Sequence, residues 1–361
     1  MKKKILFLVN HEIVIYNFRK ELVIELLEQG YDVIICSPNG EKIKKLIGLG
    51  CEFIEINIDR HGLNPFSDVA ILYKYYKIIN KIKPFAVLTY TIKPNIYGGI
   101  ACSLKGIPYF VNITGLGNAL EKIGFLRSLS IILYKISMRK VNKIFVQNSQ
   151  IKDFFIENNI SKKLSLIPGS GVNLKEFKLL PYPEEHDFVN ILFIGRLMKA
   201  KGIVELLEAA KKLKNEKVKI KMIGFLDDNI SNELFDSDNI EYLGFQSDVK
   251  KYIEECSAVI LPSHHEGMAN VLLEASACGR PVLGSNISGI KEIIDDGITG
   301  FLFEKESSDS IYNSIMEFNK LTYEKRQIMG LNARKKMEML FDRNIIVNTY
   351  IKEIGGIKND M

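Results

Sequence analysis

Residues 263–281 read SHHEGMANVLLEASACGRP and contain two glutamates, Glu266 and Glu274, eight positions apart. On one continuous helix these residues would lie about 12 Å apart along the axis and roughly 80° apart around it. This geometry is poor for contact of both carboxylates with one ligand. The stretch therefore predicts a shared role for the two carboxylates only if Glu266 lies outside the helix.

The flanking residues indicate where that helix begins and ends. The apolar residues 259–261 predict a buried strand, and residues 262–269 then form a loop. Asn270 is a favourable N-cap residue, and Gly279-Arg280-Pro281 is typical of a helix end. We therefore expect the helix to start at about Asn270.

This arrangement predicts a ligand site around the start of the helix. Glu266 lies in the loop, Glu274 lies in about the first helical turn, and the N–H groups of residues 268–271 are exposed between them. Carboxylates accept hydrogen bonds from sugar hydroxyls, and a helix N-terminus receives phosphate. The alternative is that an acidic residue only complements the helix dipole, which explains Glu274 well but not Glu266.

Length and composition limit the class of protein. A chain of 361 residues, with 47% hydrophobic and 25% charged residues, predicts a globular protein of about two domains. The apolar run 5–9 is too short for a signal-peptide core, and the sequence predicts no membrane-spanning helix. The five cysteines show neither CxxC spacing nor a metal-ligand cluster, so we expect reduced thiols in a cytosolic protein.

Positive charge is concentrated in residues 69–152. This segment has thirteen Lys and Arg residues against one acidic residue, Glu121, whereas the whole chain has a net charge of +6. Such a segment predicts a polyanionic partner, which could be a nucleic acid, a membrane surface or phosphates. A solvated basic face without a partner is the alternative.

Short β-rich runs alternate with amphipathic helical segments along the chain, which predicts parallel sheets covered by helices on both faces. Predicted strands fall at 5–9, 32–36, 53–57, 86–88, 109–112 and 143–146, and again at 189–194, 219–223, 240–243, 258–261, 281–284 and 300–303. Helices are predicted between the strands, for example at 17–29. The predicted fold class is α/β, with two Rossmann-like doubly wound domains that face a central cleft. We place the domains at 1–169 and 189–343, with a proline-containing linker at 170–188.

The loop after the first strand of the second half predicts an anion site. In FIGRLMKAKGIVELLEAA, residues 193–210, Gly195 and Arg196 follow the strand, and Lys201 and Gly202 open a helix. An Arg, a Lys and free helix N–H groups together suit a diphosphate. Taken alone, the motif is also explained by an Arg and a Lys on a surface loop.

These motifs resemble the carboxyl-terminal half of family 4 glycosyltransferases, which have the GT-B fold. The resemblance rests on GRLMKAKG at 195–202, on the Glu-x7-Glu pair within 262–285, on GIKEIIDDGITGFL at 289–302 and on IPGSGVNLKEF at 167–177. In the first half, the segments LNPF at 63–66, KPNIYG at 93–98 and TGLG at 114–117 resemble a subgroup that extends polyprenyl-diphosphate-linked bacterial surface glycans.

The resemblance implies a role for each donor-side residue. Arg196 and Lys201 would hold the donor diphosphate, Glu266 would bind hydroxyls of the donor sugar and Glu274 would bind the ribose. The predicted donor site consists of Gly195, Arg196, Lys201, Gly244, Phe245, Glu266, Gly267, Met268, Ala269, Asn270, Val271 and Glu274, with Gly244 and Phe245 near the base. Arg196, Lys201 and Glu266 form the predicted catalytic set. Members of the family transfer with retention and need no metal, which agrees with the charge that Arg196 and Lys201 supply to the leaving group.

The acceptor side is defined less sharply. Its candidate residues are Lys93, Thr114, Gly115 and Gly117. The chain departs from the family twice, because no glycine-rich loop follows the first strand and no histidine follows the fourth. His11 does follow the first strand, and it is interpreted equally well as an ordinary loop residue or as a functional one.

Residues 125–143 predict a basic amphipathic helix. Its apolar stripe consists of Phe125, Leu129, Ile132 and Ile136, and its basic residues are Arg127, Lys135, Arg139, Lys140 and Lys143. Such a helix can lie on an anionic membrane surface. The alternative is that the stripe packs on the sheet, because the sequence does not fix which way it faces.

These features predict a retaining glycosyltransferase that moves a hexose or N-acetylhexosamine from a UDP-sugar to a polyprenyl-diphosphate-linked saccharide. We expect no cofactor, no metal and no nucleic-acid partner, and a cytoplasmic protein that is peripheral on the inner face of the plasma membrane. A last helix, at about 344–361, is expected to pack back on the first domain. The alternatives are a UDP-sugar epimerase of similar fold and a non-catalytic sugar-nucleotide-binding protein.

Overall fold

A computed structural model of the protein describes residues 2–58, 65–116, 124–227, 230 and 235–357. The chain divides into two compact units, one comprising Met1–Ser170 with Asn344–Met361 and the other Gly171–Arg343. Each unit is built on a parallel sheet with helices on both faces, which confirms the predicted α/β class with two Rossmann-like domains.

In the described part of the first unit, seven parallel strands form one sheet in the order β3-β2-β1-β4-β5-β6-β7. The strands are β1 Lys4–Leu8, β2 Asp32–Ser37, β3 Glu52–Glu55, β4 Ala86–Tyr90, β5 Tyr109–Ile113, β6 Lys143–Val146 and β7 Leu164–Leu166. All residues of β4 and β5 are buried, as expected for strands covered on both faces.

Helices cover the two faces of this sheet with separate apolar cores. The helices are α1 Glu12–Phe18, α2 Lys20–Glu28, α3 Ile43–Gly48, α4 Pro65–Ile82, α5 Gly99–Lys105, α6 Phe125–Ser137 and α7 Ser149–Glu157, with a π-helical turn at Pro94–Gly98. Helices α1 to α3 pack on one face of the sheet, and α4 to α7 pack on the other.

In the described part of the second unit, six parallel strands form a sheet in the order β10-β9-β8-β11-β12-β13. The strands are β8 Val189–Ile194, β9 Val218–Ile223, β10 Ile240–Tyr242, β11 Ala258–Leu261, β12 Val282–Ser285 and β13 Gly300–Phe303. The helices are α8 Ile203–Lys212, α9 Lys250–Glu255, α10 Asn270–Ala277, α11 Ser308–Asn319 and α12 Tyr323–Lys336, with a 3-10 turn at Lys199–Lys201 and a π-helical turn at Met337–Phe341. The stretch predicted as a linker packs on this unit, since Phe177 is buried in its core.

The last helix, α13 Arg343–Gly355, returns the chain to the first unit, where Tyr350 lies in the apolar core. The ring centroid of Tyr350 lies 4.3 Å from that of Phe145, and its hydroxyl donates a hydrogen bond to Asn112 Oδ1. Among the described residues, no helix combines the length and apolar character needed to cross a bilayer.

The helical segment after β1 differs from the prediction. The sequence suggests one helix over 17–29, but the structure has α1 and α2 with a break at Arg19, whose backbone is at φ −137° and ψ 9°. The Arg19 side chain is buried, and its guanidinium carbon lies 5.4 Å from the ring centroid of Tyr90 and 5.5 Å from that of Tyr350. Arg19 therefore takes part in a long-range packing arrangement that overrides local helix propensity.

Candidate active site

The two donor-side motifs meet at one place in the second sheet. The strand order reverses beside β8, because β8 lies between β9 and β11. The loops that leave the carboxyl ends of β8 and β11 therefore lead to opposite faces of the sheet and border a crevice at this switch point, which is where open α/β sheets bind ligands. The first loop carries residues 195–202 and the second carries residues 262–269.

A glycine allows the two loops to touch backbone to backbone. Gly202 adopts φ +67°, and a Cβ atom added there would lie 2.0 Å from the carbonyl oxygen of Pro262. The N–H of His264 donates to the carbonyl oxygen of Ala200 over 3.0 Å. Only a glycine satisfies both the left-handed backbone and the close approach at position 202.

The predicted phosphate and sugar residues contact each other directly. Lys201 Nζ lies 2.5 Å from Glu266 Oε1, and the Ser263 hydroxyl donates to the same oxygen over 2.7 Å. The side chains of Lys201 and Glu266 are 25% and 13% exposed, so the pair is largely shielded but still accessible from solvent. Charged hydrogen bonds of this kind fix both side chains in the crevice.

Arg196 lies in the same loop as Lys201. It follows Gly195 at the end of β8, and its side chain is exposed. Its neighbour Leu197 is fully buried and donates its N–H to the carbonyl oxygen of Phe225 over 2.8 Å. The backbone of the loop is therefore anchored while the guanidinium extends into solvent.

The start of α10 corrects two predictions. Asn270 is the first residue of the helix rather than its N-cap, and the N-cap is Ala269, with no side-chain capping bond. The N–H of Ala269 donates to the carbonyl oxygen of Gly289 over 3.0 Å. Contrary to the prediction, this N–H is therefore not available to a ligand. The cause is the close approach of the loop after β12. Gly289 in this loop lies so near that a Cβ atom added to it would be 2.7 Å from the carbonyl oxygen of Glu266.

This geometry leaves the Asn270 side chain without its expected capping role. Asn270 Oδ1 is buried and has no hydrogen-bond partner among the described residues. Buried polar atoms are nearly always paired, so an unpaired amide oxygen beside the crevice is a candidate ligand contact. The other predicted donor-loop residues differ in exposure, since Met268 is buried whereas Gly267 and Val271 are partly exposed.

Glu274 lies in the second half of α10, in a different electrostatic environment from Glu266. Burial raises the pKa of Glu274 to about 7; the Arg343 guanidinium opposes this shift, the Glu176 carboxylate adds to it, and Lys250 opposes it. A carboxyl group desolvated in this way gains most from a ligand that donates hydrogen bonds to its ionised form. Ribose hydroxyls are donors of that kind.

The loops after β9 and β10 present a pair of exposed aromatic rings. Phe225 and Phe245 stack with ring centroids 4.4 Å apart and an interplanar angle of 12°, and they are 61% and 58% exposed. Gly244 accepts a hydrogen bond from Gly224 N–H over 2.9 Å, which joins the two loops. Phe225 was not predicted, although the repeated dipeptide Gly-Phe after two successive strands is a signal that could have revealed it.

A histidine and two glutamates brace the loop after β11. His264 Nε2 lies 3.1 Å from Glu205 Oε1 in α8, and His264 Nδ1 lies 3.8 Å from Glu306 Oε1. These contacts tie the residue two positions before Glu266 to a neighbouring helix. Glu205 and Glu306 are distant in sequence from the loop, and no local sequence pattern indicates the contact.

The acceptor-side candidates belong to the first unit. Lys93 precedes the π-helical turn after β4, and its Nζ lies 2.9 Å from Asp68 Oδ1, with only 12% of its side chain exposed. Thr114 and Gly115 follow β5, whereas Gly117 lies outside the described residues. In the part of the chain that the structure describes, no three His, Cys, Asp or Glu side chains form a group that could hold a metal ion.

Comparison with known families covers both units. Residues 4–148 match the model of the glycosyl transferase 4-like family, and residues 178–336 match the model of glycosyl transferases group 1. The chain is a glycosyltransferase. This membership confirms the resemblance drawn from the motifs, while the individual roles of the donor-site residues stay predictions.

Full-length relatives and a solved structure agree with this assignment. The glycosyltransferase is 27% identical to the N,N'-diacetylbacillosaminyl-diphospho-undecaprenol alpha-1,3-N-acetylgalactosaminyltransferase of Campylobacter jejuni, with 94% of each chain covered. It is 28% identical to the UDP-Gal:alpha-D-GlcNAc-diphosphoundecaprenol alpha-1,3-galactosyltransferase of Escherichia coli, over 93% of this chain and 90% of that protein. The crystal structure of a glycosyltransferase from Rickettsia africae superimposes with a TM-score of 0.83 and 22% identity over the whole of both chains, which supports the GT-B fold.

Proposed function

We propose that this glycosyltransferase transfers a hexose or an N-acetylhexosamine from a UDP-sugar to a saccharide carried on a polyprenyl diphosphate. The two relatives support this acceptor class, because both names specify a diphospho-undecaprenol-linked saccharide, and one names a UDP-sugar as donor. The observation that carries the proposal is the joining of Lys201 and Glu266 at the switch point of the second sheet. A phosphate-binding cation and a hydroxyl-binding carboxylate in one crevice suit a sugar diphosphate.

The donor would bind across this crevice in a defined order. Arg196 and Lys201 would neutralise the diphosphate, and Glu266 would accept hydrogen bonds from the sugar hydroxyls. Glu274 would bind the ribose, and the exposed ring of Phe245 offers an apolar surface for the base.

The proposed transfer proceeds with retention and without a metal ion. Its transition state resembles an oxocarbenium ion, with negative charge increasing on the departing diphosphate. Fixed positive groups stabilise that charge best when they are held in place before the reaction. Lys201 is held in this way by Glu266, and Arg196 would add its charge from the anchored loop when the donor binds, so that the two would fill the role that a divalent ion has in other transferases.

A surface on the first unit supports membrane association. The apolar stripe of α6 faces outward rather than into the sheet, since Phe125 is 80%, Ile132 54% and Ile136 52% exposed. Tyr134, on the opposite side of the helix, is fully buried. Exposed Lys135 and the basic residues after the helix flank the stripe. A basic helix with an exposed apolar stripe suits the anionic inner face of a bacterial membrane, where a lipid-linked acceptor presents its saccharide.

The test is a panel assay with purified protein. UDP-galactose, UDP-glucose, UDP-N-acetylgalactosamine and UDP-N-acetylglucosamine are each incubated with N-acetylglucosaminyl-diphospho-undecaprenol and with diacetylbacillosaminyl-diphospho-undecaprenol. We expect release of UDP and extension of the lipid-linked saccharide with one donor, and unchanged rates in excess EDTA. Conversion of the UDP-sugar without an acceptor would instead indicate an epimerase, and binding without any turnover would indicate a non-catalytic protein.

A further inference from the structure

His264 links the loop after β11 to three other segments of the second unit. Its backbone N–H donates to the carbonyl oxygen of Ala200, in the loop after β8, over 3.0 Å. Its ring lies between two carboxylates, with Nε2 3.1 Å from Glu205 Oε1 and Nδ1 3.8 Å from Glu306 Oε1. Glu205 is in the first turn of α8, and Glu306 is in the turn before α11. His264 therefore joins elements that are distant in sequence, at a point two positions before Glu266.

The contact with Glu205 places one proton on the ring. An ionised carboxylate only accepts hydrogen bonds, so Nε2 of His264 donates to Glu205 Oε1. The two side chains are 18% and 19% exposed, so water and salt screen this contact little. In the part of the chain that the structure describes, Glu205 Oε2 is buried and has no hydrogen-bond partner. The imidazole N–H is therefore the main donor to a shielded carboxylate, and such a contact holds both side chains in place.

Glu306 faces the other nitrogen of the same ring. The 3.8 Å between Nδ1 and Glu306 Oε1 is too long for a hydrogen bond, but it allows an ion pair when both ring nitrogens are protonated. Lys305 Nζ lies 3.6 Å from the same carboxylate oxygen, and the Glu306 side chain is 52% exposed. Glu306 therefore adds a weaker, partly screened contact to the one that Glu205 makes.

The backbone of Glu306 is left-handed, at φ +58°. This conformation is unfavourable for residues with a Cβ atom, and asparagine tolerates it better than glutamate. Among the described residues other than glycine, a positive φ recurs only at Lys83, Thr91 and Asn159. Strain of this kind persists where surrounding contacts hold the residue in place. The contact of its side chain with His264 ties this strained turn to the loop after β11.

From these contacts we infer that His264 is a positioning residue for the donor site, and that Glu205 and Glu306 hold its ring. The Lys201–Glu266 pair has one member in each of two loops, so its geometry depends on how these loops lie against each other. His264 fixes this arrangement twice, through its backbone to the loop after β8 and through its ring to the helix that follows that loop. The inference rests on the proposed function, because a pair fixed before binding favours transfer from a sugar diphosphate.

The first experiment compares His264→Ala with His265→Ala, because His265 is the adjacent histidine but is exposed. In His264→Ala, kcat/KM for the UDP-sugar should fall by about tenfold, as loss of an orienting partner typically causes. KM for the lipid-linked acceptor should stay within twofold of wild type, and His265→Ala should match wild type in both quantities. His264→Gln retains an N–H donor for Glu205 and should recover part of the loss.

A second experiment separates positioning from stability at Glu306. Glu306→Asn removes the carboxylate from the ring, because asparagine is uncharged and one methylene shorter, but it suits the left-handed backbone better. We expect kcat/KM for the UDP-sugar to fall about threefold while Tm stays equal or rises. Lys83→Asn is the matched control, since Lys83 is an exposed residue at φ +50° in the first unit. Its Tm should change in the same direction, with wild-type kinetics.

Three results would overturn the assignment. The first is kcat/KM for the UDP-sugar within twofold of wild type in His264→Ala. The second is a His264→Gln variant that recovers nothing while both His264 variants have a lowered Tm, since the histidine would then serve only the stability of the loop. The third is a parallel loss of Tm and activity in Glu306→Asn, which would indicate a merely structural contact.

Failure of the proposed function is distinguishable from failure of this inference. Isothermal titration with the UDP-sugars measures donor affinity without turnover, and we expect the affinity to fall severalfold in His264→Ala because a loosened pair must be ordered on binding. If the wild type binds a UDP-sugar but extends neither lipid-linked acceptor, the proposed function is wrong. The titration alone then supports the role of His264 or, if affinity is unchanged, contradicts it.

Discussion

The switch points of the two sheets have the same strand order around them but use their polar groups differently. In the second unit, Lys201 and Glu266 form a partly exposed pair. In the first unit, the ends of β4 and β5 are joined by buried hydrogen bonds, with Thr89 Oγ1 donating to Asn95 Oδ1 over 2.7 Å and Asn95 Nδ2 donating to the carbonyl oxygen of Asn112 over 2.9 Å. The second edge presents charge to a ligand, whereas much of the polar capacity of the first edge holds its own loops in place.

That contrast predicts the largest effect for the cations of the second switch point. Arg196→Ala and Lys201→Ala should each lower kcat by about a thousandfold or more, because each removes a positive charge that would face the departing diphosphate. Lys199→Ala is the matched control, since Lys199 is an exposed lysine in the same loop. Steady-state assays with saturating acceptor give the comparison. If kcat falls as much in Lys199→Ala as in Lys201→Ala, the proposed diphosphate contact of Lys201 is contradicted.

Two glycines with the same φ angle allow the loop that carries Lys201 to be compared with a turn in the first unit. Gly202 and Gly106 both have φ +67°, but a Cβ at Gly202 would meet a carbonyl oxygen at 2.0 Å whereas a Cβ at Gly106 would meet nothing within 4 Å. Gly106→Ala should cost about 1 kcal/mol of unfolding free energy from backbone strain alone. Gly202→Ala should cost at least about 3 kcal/mol, as measured by urea denaturation. Equal costs would show that the loop can move away from Pro262.

Glu266→Ala isolates the sugar side of the second switch point. It should lower kcat by about a hundredfold, equivalent to about 2.7 kcal/mol of transition-state stabilisation, while UDP affinity rises, because Lys201 no longer has to leave Glu266 to bind phosphate. Isothermal titration with UDP and turnover with the full donor separate the two quantities. A turnover within threefold of wild type would rule out a sugar contact by Glu266.

Charge on α6 and the residues after it should control membrane binding by the first unit. Reversal of Lys135, Arg139 and Lys140 to Glu should reduce binding to anionic vesicles at low salt by one to two orders of magnitude, because each cation near the surface contributes about 1 kcal/mol. Vesicle flotation measures the bound fraction, and raised salt should release the wild-type protein.

The matched control makes the same change in net charge on the other unit. Lys211, Lys214 and Lys217 are exposed residues of the second unit, and their reversal to Glu should leave flotation nearly unchanged. If both triple variants lose binding equally, overall charge rather than α6 governs the interaction. If the wild type floats equally with anionic and neutral vesicles, the basic face serves another partner.

The smallest effects are expected from the pKa of Glu274. Because burial raises this pKa to about 7 in the folded protein, the unfolded chain ionises first as the pH rises from about 4.5, and stability falls until the pH passes 7. Glu274→Gln removes this penalty, so it should raise the unfolding free energy at pH 8 but not at pH 4.5. UDP affinity should weaken several-fold. Denaturation at both pH values, with exposed Glu208→Gln as control, tests the sign, and a variant less stable than wild type at pH 8 would contradict it.

Much of the fold follows from local pattern, and the exceptions have identifiable causes. Buried parallel strands such as β8 and β11 are predicted at the correct residues, because a short apolar run between two helical segments is typical of a strand covered on both faces. The three-residue edge strand β7 has too little pattern to be recognised. At the break, the Arg19 guanidinium packs over the ring of Tyr350, which lies more than 300 positions away in the sequence. A contact between such distant residues leaves no pattern in the local sequence.

The site shows the same division between spacing and long-range contact. The neighbourhood of Lys201 and Glu266 was predictable, because both loops leave the carboxyl ends of strands, which is the edge where an open α/β sheet binds its ligand. The wrong N-cap at Asn270 results from Gly289, which approaches from another loop and takes the N–H of Ala269. The direction of the α6 stripe also required the structure, since an amphipathic pattern identifies the apolar side of a helix but not what covers it.

The ion pair between Lys201 and Glu266 has a consequence for how the site would distinguish an intact sugar nucleotide from a separate phosphate or a separate sugar. A phosphate that draws Lys201 away leaves the shielded Glu266 carboxylate without its counter-ion, and a sugar that engages Glu266 must compete with the ammonium group. Neither fragment alone resolves this conflict, whereas a molecule that contains both satisfies the two side chains at once. The pair would then favour binding of the intact donor over binding of either fragment, and UDP would be bound more weakly once the sugar has been transferred.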